Sequence, residues 1–157
     1  MNRRELLCYA GGFFDGEGTI NLSWSGNLNK IPCVRICVYN TAYPPLEVFV
    51  ELFDGKVRVD PPRRRGWKPV MYWGENSRPK LVKILKELLP FIREPAKRKR
   101  IEYFLSNYQV LDRAADRAKP LTEIQQRDRI AFIRHWPNLN SATTQKLAPY
   151  THSLVIT

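Results

Sequence analysis

Two adjacent glycines, Gly11 and Gly12, lie within a segment whose other residues favour a helix, and they limit what this chain can fold into. A glycine inside a helix costs about 1 kcal/mol relative to alanine, because it loses more conformational freedom on folding. We expect a helix that contains two glycines to offset this cost, because the absence of side chains lets another backbone approach closely. We therefore predict a helix over residues 3–14 that packs closely against a second segment.

Two acidic residues, Asp15 and Glu17, follow this predicted helix, and a glycine comes after each of them. The carbonyl end of a helix disfavours anions by some tenths of a kcal/mol to about 1 kcal/mol, and a bound cation reverses that penalty. Carboxylate and carbonyl oxygens suit Mg²⁺, which takes only one or two protein groups. A metal site is one interpretation. A tight helix-to-strand turn with both carboxylates solvated is the other.

The remaining segments predict a mixed α+β fold with one antiparallel sheet. Residues 19–25 and 31–40 alternate polar and apolar side chains around a turn at 26–29, which predicts a hairpin. A helix starts at Pro44-Pro45 and ends at Asp54-Gly55, and strands at 56–60 and 70–73 flank a basic loop. From residue 78 onward the pattern is helical. We expect one domain over residues 1–157, with a core at 1–110 and C-terminal helices and a tail at 111–157.

Charge narrows the class of partner. The chain has 26 Lys and Arg against 15 Asp and Glu, for a formal charge of +11 and a pI near 9.9, which favours a polyanion. No apolar run approaches the roughly 20 residues that span a bilayer, and no signal pattern begins the chain, so we expect an intracellular protein away from membranes. The three cysteines, Cys8, Cys33 and Cys37, do not predict a disulfide framework.

The stretch from Tyr9 to Gly18, Tyr-Ala-Gly-Gly-Phe-Phe-Asp-Gly-Glu-Gly, resembles the LAGLIDADG motif of homing endonucleases, and a hairpin follows it as in that family. The resemblance implies an αββαββα fold with a concave antiparallel β-sheet that binds double-stranded DNA. It also implies an intron-encoded, site-specific endonuclease that uses Mg²⁺ or Mn²⁺ to make double-strand breaks with 3′ overhangs. In family members with a single motif, two chains pair through the helix that contains the motif, here residues 3–14. A homodimer and a long pseudopalindromic target are therefore implied.

The resemblance also assigns the metal ligands. Glu17 is implied as the metal-binding carboxylate and Gly16 as a backbone carbonyl ligand, whereas Asp15 more often ends the helix. Metal ions between the two Glu17 carboxylates of a dimer would activate water and stabilise the leaving oxygen.

Two supporting roles are implied less directly. A basic residue is expected beside each scissile phosphate, and Lys97 is our choice. A gapless match to the family spacing places Pro95 at that position, so Lys97 requires a two-residue insertion, and Lys99 is the rival. Asn40 or Thr41 occupies the region where the family places a residue that positions water.

The residues expected to contact DNA are polar side chains of the sheet and of two loops, because antiparallel β-ribbons can enter the major groove. The sheet residues are Asn21, Ser23, Ser25, Arg35, Arg58 and Tyr72, and the loop residues are Asn27, Asn29, Lys30, Arg63, Arg64, Arg65 and Lys68. A solvated turn is the alternative for the arginine loop.

Two other functional classes remain open. One is a non-cleaving nucleic-acid-binding protein of the same fold, such as an intron RNA splicing factor (a maturase) or a DNA-binding regulator, and the intact Glu17 argues against it. The other is a basic RNA-binding structural protein. Such a protein gains nothing from Gly11, Gly12 and an acid at the end of a helix.

Overall fold

The structure is a computed structural model that describes residues 1–112 and 119–150. Its helices and strands are α1 (Arg3–Glu17), β1 (Gly18–Ser23), β2 (Cys33–Asn40), α2 (Pro44–Phe53), β3 (Arg58–Asp60), β4 (Val70–Glu75), α3 (Arg78–Leu88), α4 (Pro95–Asn107), α5 (Glu123–Arg134) and α6 (Ser141–Leu147). Short 3₁₀ turns follow α3 at Leu89–Phe91 and α4 at Tyr108–Leu111. The first seven elements confirm the predicted αββαββα order. Parts of the expected C-terminal tail, 113–118 and 151–157, lie outside the described residues.

Helix α1 begins at a capping box and ends later than predicted. The Asn2 side chain accepts a hydrogen bond from the Glu5 amide at 3.0 Å, and the Glu5 carboxylate accepts one from the Asn2 amide at 2.8 Å. The predicted end at Phe14 is wrong, because the helix continues to Glu17 and the amide of extended Gly18 closes the last turn on the Phe14 carbonyl oxygen. Both acidic residues therefore lie in the last helical turn, where the dipole penalty is felt directly.

The two central glycines of α1 face different surroundings. A Cβ on Gly11 would lie 2.4 Å from Cβ of Phe91, so the close neighbour of this glycine is a side chain of the same chain. At Gly11 the second segment that packs closely against α1 is therefore the 3₁₀ turn Leu89–Phe91, and its nearest atom is a side-chain carbon. Around Gly12, which is exposed, a Cβ would meet no atom of the described residues within 4 Å.

The four strands form one antiparallel sheet in the order β1-β2-β4-β3. Strand β1 ends at Ser23 rather than Ser25, since the Trp24 indole turns inward and donates to the Asn27 carbonyl oxygen at 3.0 Å. Strand β2 begins at Cys33 rather than Ile31, because Pro32 has no amide hydrogen for the ladder.

The other hairpin also differs in length from its prediction. Strand β3 covers only Arg58–Asp60, with all three residues exposed, whereas β4 continues to Glu75. A short and exposed outer strand offers little template for unwanted strand pairing.

The helices cover one face of the sheet and leave the other face open. The covered face contributes Ile20, Leu22, Val34, Ile36, Val38 and Trp73 to the hydrophobic core. The Trp73 ring packs 5.3 Å from the Phe49 ring, and its indole donates to the Asp54 carbonyl oxygen at 2.8 Å. Helix α5 joins the same core through Ile130, Phe132 and Ile133. None of the described helices is long and apolar enough to cross a bilayer.

Candidate nucleic-acid interface and metal-binding residues

Glu17 and Gly16 lie at the point where α1 passes into the sheet. Both are exposed, and a Cβ on Gly16 would meet no described atom within 4 Å. Gly18 begins β1 and pairs with Val38 of β2, so Asn40 lies two residues further along β2, at the same end of these two strands. The structure thus brings Gly16, Glu17 and Asn40, three of the predicted site residues, to one end of the sheet.

Asp15 has a structural role beside them. Its Oδ1 accepts hydrogen bonds from the Arg93 amide at 3.0 Å and the Glu94 amide at 2.9 Å. Glu94 in turn caps α4, since its carboxylate accepts from the amides of Ala96 and Lys97. These amide bonds keep the pKa of the Glu94 carboxyl below its usual value. Asp15 therefore connects the end of α1 to the start of α4.

Lys97 is buried against the last turn of α1. Its Nζ donates to the Phe14 carbonyl oxygen at 2.7 Å and also to the Asp15 carbonyl oxygen. Burial lowers the pKa of the Lys97 ammonium, and the negative charges of Asp15, Glu94 and Glu17 act in the opposite direction. The ammonium neutralises the carbonyl end of α1, which is where a cation is most favourable.

The alternative candidates for the basic and water-positioning residues differ in their surroundings. Lys99 is exposed on α4. The Asn40 Oδ1 accepts a hydrogen bond from the Ala42 amide at 2.8 Å, and alternation places Asn40 on the same side of β2 as buried Val38. The neighbouring Thr41 is exposed and follows the end of the strand.

The open side of the sheet, hereafter the polar face, carries the predicted strand residues in register. Asn21 pairs with Arg35, and Arg58 pairs with Tyr72, which also pairs with Tyr39. The Arg35 guanidinium lies 5.4 Å from the centre of the Tyr72 ring. An open depression of about 490 Å³ occupies this face, and it is lined by Arg35, Lys56, Arg58, Tyr72 and Glu75 among others. Three cationic side chains therefore line a depression in the sheet, together with the one carboxylate of Glu75.

The predicted loop residues project at the two ends of the polar face. Ser25, Asn27, Asn29 and Lys30 are exposed in the connection between β1 and β2. Arg63, Arg64, Arg65 and Lys68 are exposed in the connection between β3 and β4, where the Arg64 guanidinium lies 5.3 Å from the Trp67 ring. The structure keeps these two loops apart, one at each hairpin.

Sequence reasoning missed three side chains of this surface. Tyr39 lies on the polar face beside Tyr72, with ring centres 5.6 Å apart, and its alternation with Arg35 was a usable signal. Lys56 lines the depression, and Trp67 is 60% exposed in the arginine loop. An exposed tryptophan next to arginines is typical of a surface that receives a partner.

The metal-binding potential of the site depends on oxygen ligands. Among the described residues, no three His, Cys, Asp or Glu side chains come together. The exposed Glu17 carboxylate and the open surroundings of Gly16 nevertheless fit Mg²⁺, which keeps most of its water ligands. The same hard oxygen atoms suit Mn²⁺.

No protein-family model matches the chain, and no curated protein matches its sequence. Solved structures do match it. The homing endonuclease I-CvuI in complex with its target in the presence of Ca is 19% identical, with a TM-score of 0.63, and the match covers 94% of this chain and 97% of I-CvuI. The I-SmaMI LAGLIDADG homing endonuclease bound to cleaved DNA is 16% identical, with a TM-score of 0.64 and coverage of 96% and 48%. The I-LtrWI LAGLIDADG homing endonuclease bound to target DNA is 15% identical, with a TM-score of 0.65 and coverage of 94% and 50%.

The chain has the fold of the LAGLIDADG homing endonucleases. This finding confirms the resemblance drawn from the stretch between Tyr9 and Gly18. The chain spans nearly the whole length of I-CvuI and about half the length of the I-SmaMI and I-LtrWI chains.

Proposed function

We propose that this protein is a site-specific, metal-dependent endodeoxyribonuclease that acts as a homodimer on double-stranded DNA. The observation that carries the proposal is the position of Glu17, an exposed carboxylate in the last turn of α1, where that helix enters a sheet with an open, cation-lined face. Lys97 already supplies one cation at this helix end, and the Glu17 carboxylate beside it presents hard oxygen atoms to solvent, which favours metal binding. The DNA-bound structures of similar fold support the choice of partner.

Glu17 and the Gly16 carbonyl would hold the Mg²⁺ or Mn²⁺. When bound, the metal supplies an activated water and stabilises the leaving oxygen of the scissile phosphate. The Lys97 ammonium donates to the carbonyl oxygens of Phe14 and Asp15 in the last turn of α1. Because an ammonium has three N–H donors, one donor remains beyond these two hydrogen bonds. We propose that this donor faces the phosphate. Lys99 stays the rival, and Asn40 or Thr41 stays the candidate for positioning water.

The homodimer would form through the outer side of α1. Cys8, Gly12 and Gly16 follow one another at intervals of four residues and are all exposed, so they form one stripe without bulk. Glycines let two helices approach closely. This would explain Gly12, whose missing side chain makes room for no atom of the described residues of its own chain. Two-fold symmetry then brings the two Glu17 carboxylates near the axis. The near-complete coverage of I-CvuI, against half of the longer chains, supports this arrangement.

The polar face would contact the major groove of the target. Arg35 and Arg58 would read base edges, because a guanidinium pairs bidentately with guanine. The exposed loop residues at both hairpins would extend the contact to further base pairs and phosphates. Cleavage with 3′ overhangs, an intron origin of the gene and an intracellular site of action stay predictions of the resemblance.

The runner-up function is a non-cleaving nucleic-acid-binding protein of this fold, and one experiment separates the two. A randomised duplex library is incubated with the protein with and without Mg²⁺, and both cut ends and bound duplexes are sequenced. The endonuclease proposal predicts metal-dependent breaks at one roughly palindromic site. Tight, salt-sensitive binding without cutting in Mg²⁺ or Mn²⁺ would favour the runner-up.

A further inference from the structure

The loop between β1 and β2, residues 24–32, is held by three donors from the far end of the chain. Arg129 of α5 donates to the Leu28 carbonyl oxygen at 2.8 Å, and Lys146 of α6 donates to the Trp24 carbonyl oxygen at 2.9 Å. The Tyr150 hydroxyl donates to the Gly26 carbonyl oxygen at 2.9 Å. Three alternate carbonyls of one loop are thus bound by residues more than 100 positions later in the chain.

Side-chain packing strengthens the same connection. The Trp24 and Tyr150 rings lie 5.7 Å apart, and Trp24 is only 5% exposed. The Trp24 indole also donates to the Asn27 carbonyl oxygen, so a fourth backbone oxygen of the loop is engaged. Gly26 has a φ of +89°, and a Cβ there would lie 3.6 Å from Cγ of Lys146. The loop backbone is therefore set in one path by the C-terminal segment.

The C-terminal segment is itself anchored to the core. The Tyr103 hydroxyl donates to the Phe132 carbonyl oxygen at 2.9 Å, and the Arg100 Nε donates to the Pro137 carbonyl oxygen at 3.1 Å. Arg129 is 2% exposed. A buried guanidinium that donates to a loop carbonyl is a rigid connection, because leaving either buried group without a hydrogen-bond partner is costly.

The engaged loop groups are carbonyl oxygens, whereas its exposed side chains are polar. Ser25, Asn27, Asn29 and Lys30 are exposed, and within the loop Ser25 Oγ accepts from the Asn27 amide and Asn27 Oδ1 from the Asn29 amide. Strand β1 leads away from Glu17, so Ser23 lies about 20 Å from it at 3.3 Å per residue. At 3.4 Å per base pair, the loop would meet DNA about six or more base pairs from the cut.

We propose that Lys146 and Tyr150, together with Arg129, are positioning residues for DNA recognition, which rests on the proposed function. They fix the 24–32 loop before DNA arrives, so its polar side chains meet distant base pairs without an ordering cost. Neither Lys146 nor Tyr150 needs to touch a base. The C-terminal segment would in this way set specificity at the outer part of each half-site.

The experiment uses the whole chain with Lys146→Met, Tyr150→Phe and the double variant. Lys83→Met on α3 is the matched control, because it removes one exposed charge on the helical side of the sheet. Binding preference is measured at each position of duplexes selected from a random library, without cleavage. Amide hydrogen exchange of residues 25–30 is measured in the free protein.

We expect faster exchange in the loop and a loss of discrimination of at least about fivefold at the outer positions, the lower end of one bidentate base contact. Inner positions, the salt dependence and the Lys83→Met control should stay unchanged. An equal loss at all positions with a smaller salt slope would overturn the proposal and make Lys146 a phosphate contact. Unchanged exchange and preference would also overturn it. A parent protein without any sequence preference would instead reject the proposed function, and the exchange data would still report on the loop.

Discussion

The Lys97 ammonium and the Phe14 carbonyl oxygen are joined by a hydrogen bond of 2.7 Å between α4 and the end of α1. The Phe14 carbonyl oxygen also accepts from the Gly18 amide, and the lysine additionally donates to the Asp15 carbonyl oxygen, so its charge lies at the negative end of the helix dipole. Because Glu17 lies in the same turn, the position of the proposed metal ligand depends on this contact. The proposed catalytic site is therefore built from two helices rather than from one motif.

Replacing Lys97 should destabilise the fold whatever its part in cleavage. Lys97→Met removes the donor to the Asp15 carbonyl oxygen and one of the two donors to the Phe14 carbonyl oxygen, so we expect the free energy of unfolding to fall by about 1–3 kcal/mol. Lys99→Met, on an exposed position of the same helix, should change it by no more than about 0.5 kcal/mol. Urea unfolding of the three proteins measures both values. Equal stability of the Lys97 and Lys99 variants would contradict the structural role.

The cap formed by Glu94 should make stability depend on pH. Its folded pKa lies below the usual 4.5, so its stabilisation is fully present above that pH and is lost as the pH falls through the folded pKa. The difference in Tm between the parent protein and Glu94→Gln should therefore be constant near neutrality and shrink below pH 4.5. Thermal melts from pH 7 to pH 3 measure it. A difference that does not vary with pH would argue against a charged cap.

The glycine pair of α1 should respond in opposite ways to alanine. Gly11→Ala places a Cβ against Phe91 and should destabilise the fold by about 1–3 kcal/mol, as overpacked cores do. Gly12→Ala meets open space within the chain and should leave helix stability equal or up to about 1 kcal/mol higher.

The same pair tests the dimer. If α1 pairs with a second copy, Gly12→Ala weakens self-association in sedimentation equilibrium even though its helix is intact. Dimers of unchanged strength would place the interface elsewhere.

The arginine loop should contribute to phosphate binding. Replacing Arg63, Arg64 and Arg65 together by Gln should reduce the slope of log K against log salt by about 0.9 for each phosphate that the variant no longer neutralises. Arg127→Gln, an exposed arginine of α5, is the control for loss of charge. Fluorescence anisotropy at several salt concentrations gives the slopes. A slope equal to that of the parent protein would mean that the loop is a solvated turn.

The element order and the polar face could be predicted from the sequence, because alternation with a period of two is a local property of residues such as Asn21 and Arg35. The strand ends were less predictable, since the carbonyl oxygens of Trp24 and Gly26 accept hydrogen bonds from Lys146 and Tyr150, more than 100 residues away. The reason for Gly11 was also hidden, because Phe91 approaches it only in the folded chain. Contacts between distant segments leave no periodic signal in either partner.

The most direct test of the central proposal replaces the Glu17 carboxylate by its neutral isostere. Glu17→Gln and the control Glu51→Gln, an exposed glutamate of α2, are compared with the parent protein on the duplex selected in the library experiment, in Mg²⁺ and at equal DNA occupancy. We predict that the parent and Glu51→Gln cut both strands. Glu17→Gln should bind the same duplex but cleave it at a rate at least about 100-fold lower, because the proposed metal-binding carboxylate is lost. Cleavage by Glu17→Gln at the parental rate would contradict the account.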